Sequence, residues 1–474
     1  MCLRIATICL PEVLHSKKSA YALALPARRL MHHAGMSINA DVRQDPAGAV
    51  PVDSSSASPQ PPPKAPRQAP GQAPRQALAG LRVLDLSRVL AGPYCAQMLG
   101  DQGASVLKIE PPQGDETRLL GPPFVGDDAA YYLSINRNKQ AISLDLNNEA
   151  ARAVLLRLLE DADVLIENFL PGTMEKWGLG YDAVLAARFP RLIYCRITGF
   201  GLDGPLGGLP GYDAVLQAMS GLMSINGDAD GGATRVGIPL VDIVTGLHSA
   251  FGVLAALAER TRSGHGQLIE ACLYDTGLSL LIPHAANWMA SNKVPVRTGS
   301  GHPNISPYDK YTARDGEVFL GVVNDAQFRK FSSAIGRPEW NSDTRFCDGS
   351  ARMANRAAMR DAIEAVLGQF DSAPLCEKLM AAGVPAGPVQ TVDQSVQHAH
   401  TAHRKMKVDI DGNAVLGVPI KLARTPGAVT KAPPRFAQHT SEALGAAGYS
   451  AADIGQLIAS GAVITQRRTG KGAK

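Results

Sequence analysis

Aromatic residues make up only 5% of the 474 positions and charged residues 19%. Neither value leaves the chain short of a core, because hydrophobic residues make up 45%, the usual share for a globular protein. No uninterrupted apolar run of about 18 residues occurs, so no membrane-spanning segment of that kind is expected. The seven cysteines (Cys2, Cys9, Cys95, Cys195, Cys272, Cys347 and Cys376) are odd in number, scattered and without a CxxC pair. This argues against a disulfide framework or a structural zinc site and favours a reducing, cytoplasmic compartment. GxSxG, HExxH and GxxxxGKS/T are all missing, which removes the nucleophile elbow, the zincin helix and the phosphate loop. Clustered Lys/Arg with interleaved aromatics is also missing, so no nucleic-acid partner is expected.

The net charge of +4 belongs to the ends of the chain. Residues 1–78 hold nine Lys or Arg against four Asp or Glu, and the tail 467–474 holds four basic residues and no acid. Between them, 79–466 carries 34 basic and 39 acidic residues. Residues 51–77 are rich in Pro, Ser, Gln and Ala, a composition that buries too little apolar surface to offset ordering entropy. A disordered N-terminal extension is therefore expected over 1–78. Its first 35 residues carry five basic residues against Glu12 and read either as a mitochondrial transit-like segment or as the product of an overlong gene start, with Met36 the initiator.

Globular patterning begins at Leu81. LRVLDLS (81–87), SVLKIE (105–110), DVLIENF (163–169) and RLIYCRIT (191–198) read as strands. Helical spacing falls between them over 94–103 and 149–162. Further helices are expected after Gly211 and over about 244–258. This alternation predicts an α/β fold with a parallel sheet covered by helices. After about Gly299 the texture changes to that of a smaller α+β unit, with a strand at 319–323 and helices near 326–335, 352–368 and 373–382. A strand-like run returns at 415–422 and a helical stretch at 441–459. The predicted organisation is 79–295 as the first part of a large domain, 296–398 as a small domain, 399–466 as a return to the large one, and 467–474 as a basic tail.

Few residues invite chemistry. GFGLDG (199–204) follows a strand, but PLGGLPG comes next and cannot open the helix that a dinucleotide site needs, so a glycine-rich turn is the better reading. His398, His400 and His403 lack a rigid element and an acidic partner, and GDADGG (227–232) lacks the later acids of a calcium loop, so no metal is expected. Asp242 in GIPLVDIVTG (237–246) stands at a junction into a helix. Pattern alone favours an N-cap there; the alternative is a nucleophilic carboxylate beside backbone N–H groups.

Several long, collinear motifs carry a resemblance. LRVLDLSRVLAGPYCAQMLGDQGASVLKIEPPQGDETR (81–118), NRNKQAISLDL (136–146), ADVLIENFLPGTMEKWGLGYD (162–182), GYDAVLQAMSG (211–221), VDIVTGLHSAFGVLAALAERTRSGHGQ (241–267), GHPNISPYDKY (301–311) and GVPAGPV (383–389) resemble the family III CoA-transferases, also called CaiB/BaiF. The match covers about 79–460. It implies a large Rossmann-like α/β domain with an inserted smaller domain, two chains interlocked as a homodimer, and CoA moved from an acyl-CoA donor to a free carboxylic acid. CoA is then a substrate, and no cofactor is implied.

The resemblance puts the nucleophile on Asp242. It puts the CoA contacts on Leu90 and Ala91, Leu144, Asn168, Phe169 and Leu170, Lys176, and Tyr212 with Asp213; Arg88, beside the first of these, is a further phosphate candidate. Leu90 and Pro111 depart from the glutamine and arginine of some formyl-CoA transferases, which weakens a formyl-CoA/oxalate assignment. The family also includes α-methylacyl-CoA racemases, with histidine where this chain has Tyr212. A phenol that ordinarily titrates near 10 is a poor base at neutral pH, so transferase is preferred to racemase. A catalytically silent CoA-binding protein, with Asp242 only a cap, is the third reading. Succinyl-CoA is the default donor. Arg297, His302 and Tyr308 are candidates for the acceptor carboxylate, and the glycine loops at 207–211 and 299–301 for close backbone donors and water exclusion around Asp242.

Overall fold

The computed structural model describes residues 76–468. The expectations for residues 1–75, including the extension and the transit-like segment, lie outside them, as does most of the basic tail.

Six short strands form one parallel sheet: β1 (Arg82–Asp85), β2 (Ser105–Glu110), β3 (Lys139–Ser143), β4 (Val164–Glu167), β5 (Ile193–Thr198) and β6 (Leu268–Cys272). Their order is β3-β2-β1-β4-β5-β6, with every neighbour parallel. The central strands β4 and β5 are buried end to end, as in a sheet covered on both faces. The order reverses between β1 and β4. The crevice outside the carboxyl ends of the strands at such a reversal is where open α/β sheets bind ligands.

Two cores flank the sheet. On one face, Leu155, Leu158 and Leu159 of the helix Glu149–Leu159 pack against Leu84, Ile142 and Leu165. Leu444, Ile454 and Val463 join this core from the end of the chain, and Leu144 pairs with Val463 in an antiparallel bridge. The C-terminal segment thus packs on the same core as the first strands and the helix Glu149–Leu159. On the other face, Cys95, Ala96 and Leu99 of α1 (Ala91–Asp101) pack with Val241, Ala250 and Val253 of α2 (Leu240–Ser263). Gly246 permits the close crossing of these two helices: a Cβ there would lie 2.6 Å from the Ala91 carbonyl oxygen.

A third core lies under a separate antiparallel sheet formed by Tyr308–Thr312, Glu317–Gly321 and Ala386–Pro388. It includes Phe328, Phe331, Phe346 and Ile363. The strand-helix texture after Gly299 is thus a unit with its own interior.

Several boundaries differ from the sequence reading for identifiable reasons. The helix expected at 352–368 is two helices, Gly349–Ala354 and Arg356–Leu367, meeting at Asn355. The run 415–422 is a strand only to Leu416, because Gly417 and Pro419 follow. The N-terminal boundary falls earlier than Ala79: Leu78 N–H donates to the Gln102 carbonyl (2.9 Å), and Leu78 packs on the second core. At the other end, Arg468 pairs with Asp145 at 3.1 Å, so the basic tail begins docked on the body.

Helix α2 begins at Leu240, four residues before expectation, and runs 24 residues. It is long and apolar enough to cross a membrane, with a mean hydropathy of 1.8 over 18 residues. His248, Ser249 and Thr245 break up its apolar run, which is why the sequence criterion passes over it. Its inner face is packed under the sheet, while Leu247, Phe251 and Leu254 stay exposed.

Candidate active site

A cavity of about 220 Å³ opens at the carboxyl ends of β1, β4 and β5, at the strand-order reversal. The loop after β1 contributes Arg88 to Ala91, the loop after β4 contributes Asn168 to Pro171, and Ile197 to Gly199 and Leu209 to Tyr212 close another side. Asp242 completes the lining. The fold thus brings together Arg88, Leu90, Ala91, Asn168, Phe169, Leu170, Tyr212 and Asp242, eight of the residues singled out in the sequence.

Three singled-out residues do not line the cavity. Leu144 is buried in the first core. Lys176 is exposed on the short turn Thr173–Lys176, away from the lining. Asp213 is buried behind Tyr212, and its carboxylate is used within the protein. Arg297, His302 and Tyr308 also lie elsewhere, whereas Leu209 to Gly211 of the glycine loop line the cavity. Arg297 and Gly299 border a wider depression of about 880 Å³ with Asp309 and Arg356, and the His302 ring packs edge-on to Tyr308.

The β1 loop is held from several sides. Arg88 N–H donates to Asn168 Oδ1 (2.8 Å), and Asn168 Nδ2 donates to the Arg88 carbonyl (2.7 Å). Val89 sits at φ 66°, a left-handed conformation that costs a β-branched residue roughly 1–2 kcal/mol. Asp115 Oδ1 accepts from Val89 N–H at 3.3 Å, while its Oδ2 is paired with buried Lys108 at 2.8 Å. Lys108 Nζ also donates to the Ser87 carbonyl (2.9 Å). Beside it, Lys139 pairs with Asp85 at 2.8 Å. Burial pulls the Lys139 ammonium down to about 8 despite that carboxylate. The strained loop therefore rests on a buried ionic floor.

Arg88 leans over the Phe169 ring, with Cζ 5.6 Å from the centroid, and its Nη1 meets Glu116 at 3.2 Å. Its Nε is buried without a hydrogen-bond partner among the described residues. The glycine-rich turn is a tight backbone contact: a Cβ on Gly199 would lie 2.9 Å from Gly211 Cα, so 199–211 closes on itself and presents Tyr212.

Asp242 is the third residue of α2 and does not cap it. The N-cap position is Pro239, which has no side-chain cap. Asp213 Oδ1, from the helix Asp213–Met219, accepts from the N–H groups of Val241 (2.8 Å) and Asp242 (3.2 Å). The Asp242 carboxyl is left to face the cavity. Burial, and secondarily the Asp213 charge, push it up to about 7. Sequence reasoning missed Tyr131. Its phenol is raised to about 12 by burial and then by the charges of Asp242 and Asp213, which places it near the carboxyl pair. Nothing local in AYYLS marks it, since its neighbours come from more than 80 residues downstream. Among the described residues no group of three metal-ligating side chains occurs.

A partly protonated carboxyl in a cleft, next to a second acid and at a helix N-terminus, suits nucleophilic or acid–base chemistry at a carbonyl. Residues 78–440 match the profile of CoA-transferase family III. A succinate–glutarate CoA-transferase of Agrobacterium fabrum is 39% identical over 77% of this chain and 94% of its own length. An acetyl-CoA:oxalate CoA-transferase of Acetobacter aceti is 40% identical over 73% and 88%. A crystal structure of a CAIB/BAIF family protein from Brucella suis superposes with TM-score 0.72 at 40% identity, covering 79% of this chain and all of its own.

Proposed function

The chain belongs to CoA-transferase family III, and from that premise we propose that it moves CoA from succinyl-CoA or a similar donor to a free carboxylic acid through an anhydride on Asp242. One observation carries the reading: Asp242 is a half-buried carboxyl in the cavity lining, raised to about 7 and set where the β1 and β4 loops meet.

In this reading the ionised Asp242 oxygen attacks the thioester carbonyl, the C–S bond breaks, and CoA leaves as thiolate. The thiolate then attacks the aspartyl carbonyl and releases the donor's carboxylate. The acceptor carboxylate displaces the thiolate, giving a second anhydride, and the thiolate takes the new acyl group. Asp242 is regenerated, and no net proton moves. Dividing one exchange into acyl transfers of similar energy is covalent catalysis. Each step passes through an oxyanion that needs nearby donors. The N–H groups of Val241 and Asp242 are already engaged by Asp213, so the Gly199 and Gly211 backbones in the cavity lining are the candidates in this reading.

Arg88, in the cavity lining, is the phosphate-side cation, and Phe169 offers a flat apolar surface for adenine. Lys176 reaches CoA only beyond the cavity rim. No cofactor is called for. The homodimer is part of the proposal and is supported by apolar side chains left in water, among them Phe251 (74% exposed) and Ile282 (79%). The five described cysteines are free thiols, which supports a reducing compartment and suits either cytoplasm or mitochondrial matrix.

The racemase reading finds no histidine in the cavity lining. The two readings separate in heavy water with a 2-methylacyl-CoA and no acceptor: a racemase exchanges the α-proton, a transferase does not. The transferase reading is tested with a panel of acyl-CoA donors and free acids, scored by mass spectrometry for new thioesters. Absence of any acyl transfer across that panel would leave a catalytically silent CoA-binding protein.

A further inference from the structure

Asp213 is 6% exposed, and both of its oxygens are acceptors. Oδ1 takes the N–H groups of Val241 and Asp242, and Oδ2 takes Gln217 Nε2 at 2.7 Å. Gln217 extends the grip: its Oε1 accepts from Val236 N–H (2.9 Å) and its Nε2 donates to the Ile238 carbonyl (3.2 Å). The segment 236–242 leading into α2 is thus fastened by two residues of one short helix. Its own sequence offers only Pro239 at the cap. Two consecutive free N–H groups at a helix start are normally satisfied locally; here the acceptor comes from 28 residues upstream.

Charge is the second part of the observation. Neither Asp213 nor Asp242 takes part in a salt bridge among the described residues. The charged groups that share the cavity with Asp242, Arg88 and Glu116, are paired with each other at 3.2 Å. The remaining neighbours that titrate are phenols: Tyr212 in the lining, Tyr131 across from the carboxyl pair, and Tyr94 of α1, which packs at Gly246. On α2 itself, His248 is turned away to Thr276. Asp213 is therefore the one unpaired charge set against Asp242.

We propose that Asp213 is a positioning residue for CoA transfer: its carboxylate fixes the start of the helix that carries Asp242 and sets an uncompensated negative charge beside it, which adds to burial in raising the pH at which the enzyme becomes active. The proposal rests on the reading of Asp242 as nucleophile. A neighbouring negative charge makes a carboxylate more basic, hence a stronger nucleophile when ionised, at the cost of partial protonation below neutral pH.

Asp213→Asn removes the charge while its amide oxygen can still accept both backbone N–H groups; the one hydrogen bond it gives up is that from Gln217 Nε2, which its own NH2 cannot accept. The direct measurement needs no substrate. The full chain is labelled with 13C-aspartate, the Asp242 carboxyl signal is assigned by its loss in Asp242→Asn, and its titration is followed with and without Asp213→Asn. The midpoint is expected to fall with Asp213→Asn but to stay above the ordinary 3.8, because burial, the larger cause, remains. With succinyl-CoA and glutarate, the acid limb of kcat/KM should fall by the same amount, with the plateau rate lower by roughly tenfold. Asp213→Ala, which also loses the cap, should cost a further tenfold in kcat with KM for succinyl-CoA unchanged. An unmoved midpoint in Asp213→Asn overturns the proposal. So does failure of both Asp213→Asn and Asp213→Ser to fold, since Asp213 would then be a folding residue only. Loss of the parent reading looks different: Asp242→Asn would stay active while the Asp213→Asn titration still shifted.

Discussion

Asn168 holds Arg88 by both halves of its peptide unit, accepting from its N–H at 2.8 Å and donating to its carbonyl at 2.7 Å. The side-chain amide thereby bridges the loop after β1 to the loop after β4 across the strand-order reversal. Both its side-chain oxygen and its nitrogen are engaged by Arg88, so it fixes the shape of this part of the cavity wall.

Asn168→Asp should break this bridge, since a carboxylate cannot donate to the Arg88 carbonyl. With Val89 already strained, the loop loses its left-handed turn. We expect KM for the acyl-CoA to rise about tenfold or more, with a melting temperature within a few degrees of the parent. Unchanged KM in steady-state kinetics would show that the loop holds its form without Asn168.

Asp242→Ala and Asp242→Asn should each lower acyl transfer by at least about a thousandfold, while equilibrium dialysis still shows CoA bound. An amide cannot form the anhydride. Substantial residual turnover in either variant would exclude the covalent route.

The raised Asp242 carboxyl also predicts a stability effect. Its folded pKa, about 7, lies above its ordinary value of 3.8, so the folded state binds more protons than the unfolded state between those values. Stability therefore falls as pH rises from about 4 to 7 and stays lower above. Asp242→Asn removes the burden: it should melt higher than the parent at pH 8, by up to a few kcal/mol, and show no gain near pH 4. Equal differences at both pH values, read by calorimetry, would contradict the raised pKa.

A chain beginning at Gln76 should keep the parent's melting temperature and turnover. One beginning at Ala79 loses the Leu78 bond to Gln102 and the apolar contact of Leu78 with the second core. That should cost about 1–2 kcal/mol, visible in urea unfolding. Equal midpoints for the two chains would show that Leu78 adds nothing.

The large-scale architecture was legible because it depends on local pattern. LRVLDLS, SVLKIE and RLIYCRIT are apolar runs of strand length between helical spacings, and a parallel sheet follows from that alternation. Asp242 was legible only through its long motif. From pattern alone it read as a cap, because a carboxylate entering a helix usually is one. That the cap is Asp213 depends on a hydrogen bond across 28 residues, to which no period or propensity responds. Leu144 and Asp213 sit in motif positions, yet the structure turns one into core and spends the other on backbone. Tyr131 had no local signal at all, since its importance lies in the charges it faces. The sequence by itself determined the strands, the helices and the chemical type of the key residues, because these follow from near-neighbour sterics and apolar spacing. Only the tertiary structure decided which side chains share the cavity and how protonated Asp242 is, because burial and the field of a second carboxylate arise only when distant segments meet.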